Sequence, residues 1–231
     1  GELIPDYTGT EIKKTLENKF HVPCSVENDV NCAGMAEYAA GAAKGSSSML
    51  MLTIGTGIGG AFIWDGKLWK GYGNSACEVG RMELGNGSFE QLAATSVLVL
   101  NTAKRLGNAP EEISGKWIFE QAQAGNEICI QEIDRMCDAL AKGIANLCYV
   151  LNPEIVVLGG GISAQKEWLL LRLQKGLERY LLPSILEQTR LEFAAFGNYA
   201  GMMGACCAAM QKQKSALGGK TDEKSIVRSV R

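Results

Sequence analysis

Closely spaced metal ligands are missing from this sequence of 231 residues. It has a single histidine, His21, and its eight cysteines include no CxxC pair. Structural zinc sites usually take four ligands from Cys and His residues at short, regular spacings, so we expect no zinc. The cysteines lie within apolar stretches, where we expect most of them to be reduced core residues.

Long apolar runs and a large excess of one charge are missing as well. No run approaches the ~20 apolar residues that a membrane-spanning helix needs, and the first residues show no basic segment followed by an apolar one. The net charge of −2 offers no positive surface for nucleic acid. We therefore expect a soluble, cytoplasmic protein, and we expect this segment to bind neither a membrane nor nucleic acid.

The sequence does contain enough apolar material for a sizeable core, since 46% of its residues are hydrophobic. Before residue 46, the pattern predicts a helix over 11–19, a short strand over 22–26 and an Ala- and Met-rich helix over 32–43. The acidic segment ENDVN (27–31) thus lies at a junction between a strand and a helix.

After residue 46, three strands come first, and helices then alternate with further strands. The second and third strands are joined by Asp65-Gly66, a strong hairpin signal. The predicted strands cover 48–54, 61–64, 67–69, 155–158 and 191–195, and the longer helices cover 127–151, 164–180 and 201–212. This order predicts an α/β fold in which helices cover a sheet. The polar, basic segment 215–231 is predicted to be a disordered tail.

Two glycine clusters follow predicted strands. In LTIGTGIGG (52–60) the glycines let the backbone turn tightly and direct N–H groups at an anion, although no GK[ST] follows and the next element is a strand. LNPEIVVLGGGIS (151–163) places three glycines after a buried strand, where open α/β sheets bind ligands. A tight turn explains either cluster alone. Two clusters on one sheet favour a nucleotide cleft.

Three carboxylates are candidates for chemistry. Asp29 follows a predicted strand, but an isolated Asp at this place is more simply explained as a helix N-cap. Glu78 and Glu90 flank a polar loop, and each alone would be interpreted as a solvated side chain.

Taken together and in order, several segments resemble the ROK family of sugar kinases and sugar-responsive repressors over residues 1–210. These segments are ENDVN, GAAKG, LTIGTGIGG, DGKLWKGYGNSACEVGRM, FEQLA and LNPEIVVLGGGIS. The resemblance implies an actin-like, ribonuclease-H-like ATPase fold, whose two lobes close on sugar and ATP. By this resemblance, 1–45 is the end of the N-terminal sugar-binding lobe and 46–214 is the C-terminal nucleotide-binding lobe.

The resemblance also implies a role for each candidate residue. Asp29 is the base that takes the proton of the sugar hydroxyl during phosphoryl transfer from ATP. The resemblance assigns sugar contacts to Asn28, Glu78 and Glu90. It assigns phosphate contacts to Gly55, Thr56, Gly57 and Gly59, and it places Gly160 and Gly161 at the border of the adenosine. ATP with Mg²⁺ is the implied phosphoryl donor, and a homodimer is the commonest assembly for the fold.

The chain departs from the family pattern in the loop before residue 90. Many members have ExGHM followed by CxCGxxGCxE, whose His and three Cys bind zinc, whereas this chain has EVGRM and ELGNGSFE. Arg81 replaces the histidine and Ser88 stands at the third cysteine, so the resemblance again predicts no zinc. Arg81 is a further candidate sugar contact, or it pairs with Glu78 or Glu83 and braces the loop.

A second departure is the lack of the family's DxGGT phosphate loop, which carries the Asp associated with Mg²⁺. A strand over 22–26 without sheet neighbours would expose its backbone. We therefore expect a truncated chain with little or no turnover alone, which ordinary kinase rates in a coupled ADP-release assay would contradict.

Two other functions stay open at the level of sequence. ROK repressors share this fold and bind sugar without phosphorylating it, although an intact Asp29 favours a kinase. A third alternative is an α/β subunit that only assembles with other proteins. In that case the glycine clusters bind no ligand. Which sugar is bound cannot be told from the residues.

Overall fold

The computed structural model describes residues 9–216, with side chains as far as residue 213. Its sheet has five strands in the order β3-β2-β1-β4-β5. They are β1 (Ser48–Ile54), β2 (Ile58–Trp64), β3 (Lys67–Leu68), β4 (Ile155–Gly159) and β5 (Arg190–Phe193). β2 is antiparallel to both β1 and β3, whereas β1, β4 and β5 run parallel. The carboxyl ends of β1, β4 and β5 therefore meet at one edge of the sheet.

Helices cover both faces of the sheet. They are α1 (Ile12–Phe20), α2 (Asp29–Ala40), α3 (Phe89–Ala93), α4 (Thr95–Leu106), α5 (Gly115–Gln123), α6 (Glu127–Leu151), α7 (Lys166–Tyr180), α8 (Pro183–Leu186) and α9 (Ala200–Ala216). Because successive side chains of a strand point to opposite faces, β1 serves two cores. Leu50 and Leu52 join the larger core with α6 and α7, while Met49 and Met51 join a smaller one with α2 and α9.

The predicted α/β fold is confirmed, and local patterns located most elements after residue 46. Strand β1 and helix α6 have the predicted bounds, and α7 and α9 begin within a few residues of prediction. Five of the eight cysteines are buried, as expected of core residues. Burial raises the pKa of the Cys137 thiol to about 12 and that of Cys148 to about 11, so these thiols stay protonated at neutral pH.

The strand predicted over 22–26 is wrong. These residues form no ladder, and the backbone N–H of Cys24 instead donates to Oε1 of Glu17 in α1 (3.0 Å). A strand exists only when a neighbour supplies its hydrogen bonds, and within residues 9–216 no strand lies beside this segment. Phe20, Val22 and Val26 remain exposed, and α1 buries none of its residues.

The glycine turn after β1 is shorter than predicted, because β2 begins at Ile58 instead of Ala61. Gly59 and Gly60 lie within β2 and pair with Thr53 and Leu52. Glycine is tolerated inside a strand where a neighbour approaches closely. A Cβ added at Gly59 would lie 2.5 Å from Cγ2 of Val30, so the close approach comes from α2.

The remaining structural predictions concern the tail over 215–231, the boundary between the two lobes and the lack of a membrane-spanning helix. Helix α9 extends to Ala216, two residues into the segment predicted as a tail; the rest of that segment lies outside the described residues. The division near residue 45 stays a prediction. In residues 9–216, no helix combines the length and the apolar character needed to cross a membrane.

Candidate functional site

Helix α2 begins at the acidic segment, and its N-cap is Asn28 rather than Asp29. The side-chain oxygen of Asn28 accepts the backbone N–H groups of Val30 (2.9 Å) and Asn31 (3.1 Å), the usual arrangement of an N-cap. The predicted start at residue 32 and the interpretation of Asp29 as the cap are therefore both wrong. Asp29 is the first helical residue, and its exposed carboxylate lies at the positive end of the helix dipole.

Glu27 fixes this segment to the opposite part of the fold, a role that sequence reasoning missed. Its carboxylate forms an ion pair with Lys70, just after β3, and accepts the side-chain amide of Asn31 (2.9 Å) and the N–H of Asn28 (3.1 Å). Burial acts to raise the pKa of Glu27, but the hydrogen bonds from Lys70, Asn31 and Asn28 outweigh it, and the pKa lies below its usual value. The carboxylate therefore stays ionised at neutral pH.

The turn over 55–57 lies against the start of α4. The N–H of Gly55 donates to the carbonyl of Gly57 (3.0 Å), and Ser96 donates its N–H to the carbonyl of Gly55 (3.3 Å) and its hydroxyl to that of Thr56 (2.6 Å). Ser96 holds the turn in place from the second position of α4. Nothing in the local sequence around Ser96 indicated this long-range contact.

Gly160 brings the second glycine cluster against the first. Its φ of 84° and ψ of −175° belong to a backbone region that is almost restricted to glycine. A Cβ added there would lie 2.3 Å from the carbonyl oxygen of Ile54, the residue before Gly55. The two clusters thus meet at the carboxyl edge of the sheet, where parallel α/β sheets bind ligands.

Glu90 lies between the glycine turn and the loop before α3. Its Oε2 is 2.9 Å from the position of a Cβ added at Gly57 and 3.0 Å from one at Gly80, while Oε1 pairs with Nη1 of Arg81 (3.1 Å). The predicted pairing of Arg81 with Glu78 or Glu83 is therefore wrong. Ser88 is the N-cap of α3 and forms a capping box with Gln91, which places Glu90 in the first turn of the helix.

The remaining acidic candidate, Glu78, lies at the start of the turn over 79–81. This turn packs on β2, because a Cβ added at Gly60 would lie 2.8 Å from the carbonyl of Cys77. The side chain of Glu78 is exposed. No hydrogen bond or ion pair of the described side chains joins Asp29 or Glu78 to Glu90, and residues 9–216 contain no cluster of three such side chains, so the structure does not bring the three carboxylates together.

The acidic segment and the glycine turn are neighbours through Val30. This residue follows Asp29 and packs against Gly59, two residues beyond the turn. An exposed carboxylate thus directly precedes the residue that packs on β2, the strand that leaves the glycine turn. A carboxylate can accept a proton from a hydroxyl group, and glycine backbone can approach a phosphate closely, so the arrangement suits phosphoryl transfer to an alcohol.

Known proteins are similar to this chain over most of its length. The model of the ROK family matches residues 5–212. An uncharacterized protein of Clostridium perfringens is 47% identical over 205 residues, which are 89% of this chain and 70% of that protein. A beta-glucoside kinase of Listeria monocytogenes is 30% identical over 221 residues, which are 92% of this chain and 74% of the kinase.

A solved structure has the same fold. It is a ROK family glucokinase from Streptomyces griseus in complex with glucose and AMPPNP, with a TM-score of 0.78 and 27% identity over 87% of this chain and 72% of the glucokinase. The fold is thus the actin-like, ribonuclease-H-like fold of these kinases. On the family match and the similarity of sequence and structure, this chain belongs to the ROK family.

Proposed function

We propose that this protein phosphorylates a hydroxyl group of a sugar with ATP and that Asp29 is the general base. The observation that carries the proposal is the exposed carboxylate at the start of α2, next to Val30, which packs against Gly59 just beyond the glycine turn over 55–57. Proton transfer by such a base contributes roughly 10²- to 10⁴-fold to a rate. The substrate is a hexose or a related sugar, as in glucokinases, fructokinases and N-acetylmannosamine kinases.

Sugar hydroxyls are assigned to the side chains around Asp29. Because the oxygen of Asn28 already accepts two N–H groups, its side-chain NH₂ is the group left to donate to a sugar oxygen. Glu78 and Glu90 accept sugar hydroxyls, as carboxylates can. Arg81, which is paired with Glu90 and has a 72% exposed side chain, presents its remaining N–H groups to the same region.

The nucleotide is assigned to the glycine edge. Phosphates approach the turn formed by Gly55, Thr56 and Gly57, and the adenosine lies against Gly160 and Gly161. Gly59 supports the turn from within β2, where Val30 covers it, so its contribution to phosphate binding is indirect. In phosphoryl transfer most of the acceleration comes from positioning and from neutralising phosphate charge, which this edge supplies through its backbone.

Magnesium accompanies ATP in such reactions, where it is held by one or two carboxylates together with the phosphates. Residues 9–216 contain no group of three or more His, Cys, Asp or Glu side chains that could hold a metal ion. This part of the chain does not form a dedicated cage, and we assign none of its residues to the ion. The absence of zinc, the cytoplasmic location and a homodimer stay predictions.

Single-turnover phosphoryl transfer tests the proposal. The protein, in excess over radiolabelled ATP, is incubated with a panel of sugars and Mg²⁺, and labelled sugar phosphate is separated and counted. This format detects product even when turnover is slow. Product from the wild type, formed roughly 10²- to 10⁴-fold faster than by Asp29→Asn, supports the kinase. Binding of sugar but not of an ATP analogue, with no product at any incubation time, favours a sugar-responsive repressor instead.

A further inference from the structure

Two carboxylates among the described residues are almost wholly buried, and they are stabilised in different ways. Glu132 of α6 is 3% exposed and pairs with Arg105 (2.8 Å) and Arg135 (2.7 Å). Glu37 of α2 is 0% exposed and forms no ion pair with the described cations. A buried charge is costly unless it is paired or hydrogen-bonded, so the partners of Glu37 indicate what it is for.

Three backbone N–H groups satisfy the Glu37 carboxylate. Oε2 accepts from Ala42 (2.9 Å) and Ala195 (3.0 Å), and Oε1 accepts from Phe196 (2.9 Å). Ala42 lies just beyond the end of α2. Ala195 and Phe196 belong to the loop after β5, at the carboxyl edge of the sheet that also carries Gly160. The carboxylate therefore joins α2 to the edge assigned to the nucleotide.

Other contacts already hold α2 against its neighbours. A Cβ added at Gly204 of α9 would lie 1.6 Å from the carbonyl of Cys32, one at Gly34 would lie 3.3 Å from Cβ of Ala61, and the hydroxyl of Tyr38 accepts the N–H of Gly66 in the β2–β3 hairpin (3.1 Å). These contacts bring α2 close to α9 and β2. The hydrogen bonds from Ala195 and Phe196 to Glu37 add a directional link from α2 to the carboxyl edge of the sheet.

We propose that Glu37 is a positioning residue that locks α2 against the loop over 194–196 and so holds Asp29 in register with the glycine turn. Asp29 is eight residues away on the same helix, about 12 Å at the usual rise per residue. The role of Glu37 in catalysis rests on the proposed function, whereas its role in fixing the position of α2 does not. An α2 that slides or tilts carries Asp29 with it and leaves the nucleotide edge where it is.

Glu37→Gln is the test variant, because it keeps the shape but replaces one acceptor oxygen with an NH₂ group that faces a backbone donor. Glu132→Gln is the matched control, since it neutralises the other buried carboxylate far from α2. Amide hydrogen exchange followed by mass spectrometry reports on peptides covering 28–32, 194–197 and 131–133.

We expect Glu37→Gln to raise exchange at least about tenfold at 194–197 and also at 28–32, as expected for the loss of a hydrogen bond to a charged group. Glu132→Gln should leave both segments unchanged and affect only 131–133. Faster exchange at 194–197 with wild-type exchange at 28–32 would overturn the proposal, as would equal effects of the two variants. If Glu37→Gln does not fold, Glu37→Asp, which keeps the charge but shortens its reach, carries the same test.

Kinetics separates this proposal from the proposed function. If the wild type transfers phosphate, Glu37→Gln should lower the single-turnover rate about tenfold with little change in the sugar concentration at half-saturation, and Glu132→Gln should not. A wild type without phosphoryl transfer contradicts the proposed function only, because the exchange experiment still decides whether Glu37 positions α2. Equal rates for the wild type and Glu37→Gln would contradict the positioning role.

Discussion

The two parts of the candidate site, the acidic segment over 27–31 and the glycine edge formed by 55–57 and 159–161, are built in opposite ways. Asn28 and Asp29 present exposed side chains at a helix start, and the Asp29 carboxylate accepts the N–H of the next residue, Val30 (2.9 Å). At the glycine edge, by contrast, Gly160 lies directly against the backbone carbonyl of Ile54. The acidic segment can therefore lose its chemistry without losing its fold, whereas at the glycine edge the two are largely inseparable.

The glycine edge is itself divided. Gly160 has a backbone conformation that almost only glycine adopts. Gly159 faces the end of the Met51 side chain, which would have to move, since an added Cβ would lie 2.5 Å from its Cε. Gly55 and Gly161 have nothing within 4 Å of an added Cβ. Packing explains the first pair, while the second pair is open to a ligand. Variants at the two kinds of position separate packing from binding.

The largest expected effect comes from Asp29→Asn. It should lower phosphoryl transfer by roughly 10²- to 10⁴-fold, because the amide keeps the shape of the side chain and cannot accept the proton. Sugar affinity, measured by calorimetry, should stay within a few-fold. The free energy of unfolding, measured by urea titration, should fall by only about 0.3–1 kcal/mol, because the charge at the N-terminus of α2 is lost. Asp65→Asn, in the hairpin at φ 46°, is the matched control and should change neither quantity. An Asp29→Asn protein that keeps most of its rate would refute the assigned role.

Gly160→Ala should show how far the glycine edge depends on backbone conformation. We expect a loss of about 1–3 kcal/mol in the free energy of unfolding from the strained φ and ψ alone, with the overlap on Ile54 adding to it. Gly161→Ala, one residue on and in open space, should leave the urea midpoint near that of the wild type. Equal midpoints for the two variants would show that the division of this edge is wrong.

Gly55→Ala is expected to affect binding and not stability. The added methyl group has no protein atom within 4 Å, but it occupies space at the turn where phosphates are proposed to approach. We therefore expect an ATP analogue to bind roughly tenfold or more weakly. An effect of this size corresponds to the loss of one hydrogen bond to a charged group. Isothermal titration with the analogue measures this loss, and titration with sugar serves as the internal control. Unchanged nucleotide affinity would remove Gly55 from the phosphate site.

The smallest effect is expected at the anchor of the acidic segment. Lys70→Gln removes the ion pair with Glu27. The side chain of Lys70 is 44% exposed and that of Glu27 is 13% exposed, so we expect the substitution to lower the free energy of unfolding by about 0.2–1 kcal/mol. Because the pKa of Glu27 is lowered in the folded state, its contribution is present above the unfolded value and is lost as the pH falls through the folded one.

Urea midpoints of the wild type and Lys70→Gln should therefore differ at pH 7 and converge as the pH is lowered below the ordinary range of a glutamate. Glu154, whose pKa is also lowered, mainly by the hydrogen bond from the Ser47 backbone, titrates in both proteins and cancels in the difference. A difference between the two proteins that does not shrink on acidification would show that Lys70 acts other than through Glu27.

Features of the fold and the site were predictable from the sequence when the residues that form them lie close together along the chain. The hydrophobic patterns of β1 and α6 are local and predicted their bounds, whereas the strand over 22–26 failed because a strand needs a neighbour that local pattern cannot supply. The pairing of Arg81 with Glu90 was missed because the prediction considered only acidic residues nearer to Arg81 in the sequence. Glu37 is the clearest case, since its acceptor role depends on residues more than 150 positions away. A lone carboxylate in an Ala-rich helix was the only signal.

The most direct test of the account is whether the acidic segment and the glycine edge form one site. Isothermal titration of the wild type with a panel of sugars, with and without a non-hydrolysable ATP analogue, measures both ligands and their coupling. We predict binding of both, and a change in sugar affinity on nucleotide binding that equals the reciprocal change in nucleotide affinity. No heat from either ligand would contradict the account.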